Sequence, residues 1–150
     1  MPTFNFSLGL STFHSLLVCF SHPPETVTRP KVLIVDDNSD VRRLYAIGLN
    51  QHGFEVKLAS NGMEAIDRIQ SERPDVILLD WLMPLMNGGE VLNRLETDHS
   101  DGIPIIVISG QPEPPPETRD PRIGFWLTKP VTVDELVHAI HLRAPAAQVG

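Results

Sequence analysis

Only one cysteine, Cys19, occurs in the 150 residues. No internal disulfide can staple such a chain, so a reducing compartment is the expectation. Clustered cations are missing too: 12 Lys and Arg stand against 19 Asp and Glu, a formal charge of -7. Phosphate backbones are held by grouped Lys and Arg, and their absence argues against direct nucleic-acid binding. No apolar run reaches the roughly 18 residues that a helical membrane span requires. The most apolar early stretch, "LSTFHSLLVCF" at residues 10–20, follows no Lys or Arg, is interrupted by His14 and precedes no Ala-x-Ala site, so it does not read as a cleaved signal. Asn5-Phe6-Ser7 is a formal glycosylation triplet, but nothing else looks secreted. A cytoplasmic protein is therefore expected.

What the chain does have begins at Lys31. Short apolar runs alternate with amphipathic stretches, the pattern of a parallel sheet covered by helices on both faces. Strands are expected at residues 32–35, 55–58, 75–80, 104–109 and 124–128. The first helix has Asn38 or Ser39 as its cap, Val41, Leu44, Tyr45, Gly48 and Leu49 on one face, and Gly53 just past its end. A second helix turns Ala65, Ile66 and Ile69 inward before Pro74. A third spans residues 88–95, and the last spans residues 133–142. Between the fourth and fifth strands, "GQPEPPPETRDPRI" holds five prolines. Each lacks an N–H and fixes φ, at about 3 kcal/mol per interior helix position, so this segment is expected to be an extended loop with at most one short turn. Residues 1–29 form an expected N-terminal extension, residues 30–143 the folded domain, and residues 144–150 a tail.

Right-handed crossovers point all strand carboxyl ends the same way, and ligands sit in the crevice beyond them. The first strand ends on Asp36 and Asp37, the third on Asp80, the fourth on Ser109, and the fifth just before Lys129. Five polar groups thus converge on one sheet edge. Like charges about 4 Å apart repel by on the order of 4 kcal/mol at an effective dielectric near 20, so three gathered carboxylates call for a cation. Mg²⁺ suits them: it takes oxygen ligands and needs only one or two direct carboxylates. Lys129 adds a mobile positive charge able to meet a phosphate.

"VLIVDDNSD", "DVILLDWLMPLMNGGEVL", "PIIVIS" and "WLTKP", in this order and spacing, resemble the receiver domain of two-component response regulators over residues 30–143. The resemblance implies a flavodoxin-like α/β fold, a doubly wound five-stranded parallel sheet of order 2-1-3-4-5, with the usual fourth helix replaced by the proline-rich loop. It implies that Asp80 is the phosphoacceptor, taking a phosphoryl group from a sensor histidine kinase or phosphotransfer protein. Asp36, Asp37, Asp80 and the main-chain carbonyl of Leu82 would hold Mg²⁺. Ser109 would hydrogen-bond the phosphoryl group, Lys129 would balance its charge, and Trp126 falls where the family places a switching aromatic. The Lys129–Pro130 bond is cis in many relatives. Such a protein is a self-phosphorylating and self-dephosphorylating switch, not a turnover enzyme. With only "APAAQVG" after the last helix, a stand-alone receiver is expected, whose proline-rich loop makes its own partner surface.

Blander readings compete residue by residue. Asp36 and Asp37 could cap a helix. "DDNSD" opens like a calcium loop, but Val41 and Ile47 stand where that loop needs Gly and Glu. His138 and His141 share a helix face, yet imidazoles in a last turn commonly complement the dipole; His52 and His99 read as solvated. Met83 and Met86 read as packing. Among other functions, a scaffold that binds partners without phosphate keeps the fold. A flavodoxin-like cofactor site would place its phosphate against two aspartates. An aspartate-nucleophile phosphatase needs Asp-x-Asp, which Asn38 breaks.

Overall fold

The computed structural model describes residues 27–97, 102–116 and 118–144. The expected extension and tail lie almost wholly outside them, as do Asn5, His14, Cys19 and His99. The elements are β1 (Lys31–Val35), α1 (Ser39–Gln51), β2 (Glu55–Ala59), α2 (Gly62–Glu72), β3 (Val76–Asp80), α3 (Gly88–Thr97), β4 (Ile105–Ser109), β5 (Ile123–Thr128) and α4 (Val133–Arg143). All strand pairs are parallel, in the order β2-β1-β3-β4-β5.

Side chains alternate across the sheet, and both sides are covered. Val32 and Ile34 of β1 join Val76, Leu78, Ile106 and Ile108 on the face that Tyr45 and Leu49 of α1 and Leu136, Ala139 and Ile140 of α4 close. Leu33 and Val35 join Ile77, Leu79, Ile105 and Val107 beneath Ala65, Ile66 and Ile69 of α2 and Val91, Leu92 and Leu95 of α3. Burial on two faces is why the central strands read as unbroken apolar runs. Each buried aliphatic side chain contributes about 1.5–3 kcal/mol. The strands that lead to the acids are therefore firmly held.

Asn38 caps α1, its side-chain oxygen accepting from the Asp40 and Val41 amides at 2.9 and 3.2 Å. Gly53, at φ 87°, follows the helix end. One expectation for α1 is corrected. Leu44 is 61% exposed. Tyr45 and Leu49, four residues apart, centre the buried stripe, and Leu44 lies about 100° around the helix from Tyr45, beyond that stripe. Gly48 sits close to α4: a Cβ there would lie 2.6 Å from a Val133 methyl.

Between β4 and β5 the described residues contain no helix, in keeping with the proline count. The chain instead makes short turns, Thr118 N–H donating to the Pro115 carbonyl at 2.8 Å and Ile123 N–H to that of Asp120 at 3.1 Å. Arg122 fastens the loop's end. Its guanidinium pairs with Asp120 and reaches the Leu92 carbonyl on α3 at 3.0 Å. Ile123 and Trp126 of β5 pack against the core under α2 and α3, part of the face such a helix would cover.

Candidate functional site

The ends of β1, β3, β4 and β5 meet at one edge of the sheet. Asp36, directly after β1, is 2% exposed, and Asp80, the last residue of β3, is 4% exposed. Asp37, next along the chain, points to solvent. One carboxylate oxygen from each of the three lies within 4.8 Å of the others. Lys129, just past β5, brings its Nζ to 3.3 Å from Asp80 Oδ2 and 3.7 Å from Asp36 Oδ2.

Local hydrogen bonds fix the acids. Asp36 Oδ1 accepts from the Asn38 amide at 2.8 Å, and the Asp36 carbonyl accepts from Arg42 Nη1 at 2.6 Å. Asp80 Oδ1 accepts from the Leu82 amide at 3.3 Å. Ser109 is fully buried; its Oγ accepts from the Gln111 amide at 3.0 Å, leaving the hydroxyl proton available, and its carbonyl accepts from the Lys129 amide at 2.8 Å. The Lys129–Pro130 peptide is cis.

The charges do not balance: three carboxylates face one ammonium. Burial, with the Asp36 charge second, pushes the Asp80 carboxyl above its ordinary range despite Lys129. At Lys129, burial pulls the ammonium down, but Asp80 and then Asp36 outweigh it and its pKa rises. Three converging oxygens with excess negative charge match the donor set of a hard divalent cation. A carboxylate held beside an ammonium can also serve as an acceptor for an electrophilic group whose oxygens the ammonium would meet.

Of the remaining residues singled out from the sequence, the described histidines lie on or beside α4 and the others around this centre. Leu82 is 55% exposed at its rim, and Leu85, at φ 70°, is 98% exposed. Trp126 donates its indole N–H to the Gln111 carbonyl at 2.8 Å and packs against Trp81 with ring centroids 5.0 Å apart. Met83 and Met86 are buried. His138 and His141 are exposed, and the His141 ring lies 5.4 Å from that of Phe54. Arg42 drew no notice in the sequence. Its partner is a main-chain carbonyl, which leaves no trace in a pattern of side chains.

The family model for the response regulator receiver domain matches residues 32–141. The chain is 38% identical over 113 residues to the transcriptional regulatory protein PrrA of Mycobacterium tuberculosis, covering 74% of this chain and 48% of that protein. To the phosphate regulon transcriptional regulatory protein PhoB of Pseudomonas aeruginosa it is 36% identical over 122 residues, 79% of this chain and 52% of that one. The chain spans about half the length of the curated relatives it matches. Among solved structures, the chemotaxis protein CheY4 of Vibrio cholerae superposes with a TM-score of 0.71 at 29% identity, covering 77% of this chain and 99% of that one.

Proposed function

The chain belongs to the response regulator receiver family, and on that premise we propose that it is a phosphorylation switch with Asp80 as the acceptor. One observation carries the reading: three carboxylate oxygens within 4.8 Å of one another, with the Lys129 ammonium 3.3 Å from Asp80. A carboxylate oxygen of Asp80 attacks the phosphorus of a phosphohistidine on a sensor kinase or phosphotransfer protein, the P–N bond breaks, and the imidazole leaves with its electron pair. Lys129 offers its charge to the phosphoryl oxygens, and the Ser109 hydroxyl, already oriented as an acceptor toward Gln111, turns its proton to one of them. Mg²⁺, for which Asp36, Asp37, Asp80 and the Leu82 carbonyl are the proposed ligands, supplies charge neutralisation for the incoming anion when bound.

Exposed leucines at positions 82 and 85 beside the acceptor support docking by a protein donor. A cytoplasmic location is part of this proposal and rests on the family; among the described residues no helix is long and apolar enough to cross a membrane. Output is proposed to pass through Ser109 and Trp126 to the proline-rich segment. A cleft of about 590 Å³ between α3 and that segment, lined by Trp81, Leu82, Leu92, Pro115 and Thr118 among others, supports this. Deleting residues 112–116 should abolish binding of any partner that requires phosphate; retained binding would place output elsewhere.

Incubation with acetyl phosphate and Mg²⁺, read by intact mass, should add one phosphoryl group that is base-labile. It should be lost in Asp80→Asn and suppressed by a chelator. An unlabelled wild type would favour the phosphate-independent scaffold, and a labelled Asp80→Asn would move the acceptor.

A further inference from the structure

We propose that Tyr45 is a positioning residue for Lys129, its hydroxyl tying the segment just beyond the lysine to α1 and so holding the ammonium over Asp80. The inference rests on the reading of Asp80 as phosphoacceptor. Tyr45 is the chain's one tyrosine and is 5% exposed. Its ring packs in the core with Leu49 and Leu136. A phenylalanine would fill that space as well, so packing accounts for the ring and not for the hydroxyl. The hydroxyl donates to the Val131 carbonyl at 3.1 Å, 86 residues away in sequence. Val131 is two positions past Lys129.

The other side of the lysine is held by its own amide, which donates to the Ser109 carbonyl at 2.8 Å. The main chain is thus pinned immediately before and after Lys129. This matters because a lysine stem is long and rotatable, and the ammonium can be placed accurately only if its Cα is. At its other end α1 is registered to the acids: its cap, Asn38, directly follows Asp37, and Arg42 grips the Asp36 carbonyl at 2.6 Å. Tyr45, one turn along the same helix, therefore couples the mount of the carboxylates to the mount of the cation. Burial pushes its phenol upward, which keeps the donor protonated at working pH.

Tyr45→Phe removes only the hydroxyl. Its phosphorylation by acetyl phosphate and Mg²⁺ should slow by roughly threefold to tenfold, the range that one lost neutral hydrogen bond allows. In a Lys129→Ala background the same substitution should change the rate no further. Equal slowing in both backgrounds would overturn the proposal, because a merely structural tyrosine acts whether or not the lysine is there. On unphosphorylated protein, labelling of the Lys129 amine by an amine-reactive ester, read by mass spectrometry, should rise in Tyr45→Phe as the ammonium loses its fixed place between Asp80 and Asp36. Unchanged labelling overturns the proposal too. Should the wild type take no phosphoryl group at Asp80, the acceptor reading falls, while the lysine labelling still decides the role of Tyr45.

Discussion

At the scale of the residue, Asp80 carries a conflict between position and charge. It ends a strand buried on both faces, and both burial and the neighbouring Asp36 oppose its ionisation. A carboxyl whose pKa is raised by folding stabilises the native state most when protonated. That contribution is complete below the ordinary carboxylate value near 3.8 and is lost as pH climbs through the raised folded value. Without metal, Asp80→Asn is therefore expected to be more stable than wild type at neutral pH, and less so in acid, as read by urea unfolding. Equal stability at neutral pH would mean that Lys129 alone satisfies the site. The same residue shows what a sequence can reveal. Asp36, Asp37, Asp80 and Lys129 stood out because each interrupts or follows an apolar run at a strand's carboxyl end. Tyr45 and Arg42 did not, since both act on main-chain carbonyls, and a backbone acceptor is the same at every position.

At the scale of the element, the loop between β4 and β5 replaces a helix and is fastened by polar contacts. Asp120 and Arg122, 7% and 11% exposed, form its tightest polar contact, and the hydrogen bond from Arg122 holds the Asp120 carboxyl below the usual range. The sign is opposite to that at Asp80: stability is present above the ordinary carboxylate pKa and lost as pH falls through the depressed folded value. Asp120→Asn should cost about 1.5–3 kcal/mol at neutral pH and remove this acid-sensitive phase, in the same urea experiment. A neutral result would mean that the loop's other contacts, among them that of Trp126 with the Gln111 carbonyl, are enough to anchor it. That a loop stands here was legible from five prolines, because each removes a donor that a helix needs. The exposure of Leu44 was not legible. Helical periodicity gives the phase of the apolar stripe but not its width, and only the packing of α1 around Tyr45 and Leu49 sets where it ends.

At the scale of the whole molecule, the sheet order followed from residues in four separate strands agreeing on one family pattern. Parallel connections leave those strands little freedom once the crossovers are right-handed. The consequence is a set of rigid mounts whose charges are unbalanced without a cation. Mg²⁺ that binds only the folded state should stabilise it by about 1.4 kcal/mol at tenfold over its dissociation constant. A thermal shift that rises with Mg²⁺ and disappears in Asp36→Asn or Asp80→Asn is expected; a shift of equal size in those variants would place the ion elsewhere. The central claim is that these mounts present Asp80 as the acceptor. Its most direct test is to trap the acyl phosphate formed with acetyl phosphate and Mg²⁺ by borohydride reduction, then map the modified residue by peptide mass spectrometry. Homoserine at position 80 is the predicted result, and homoserine at position 36 or 37 with position 80 unmodified would contradict it.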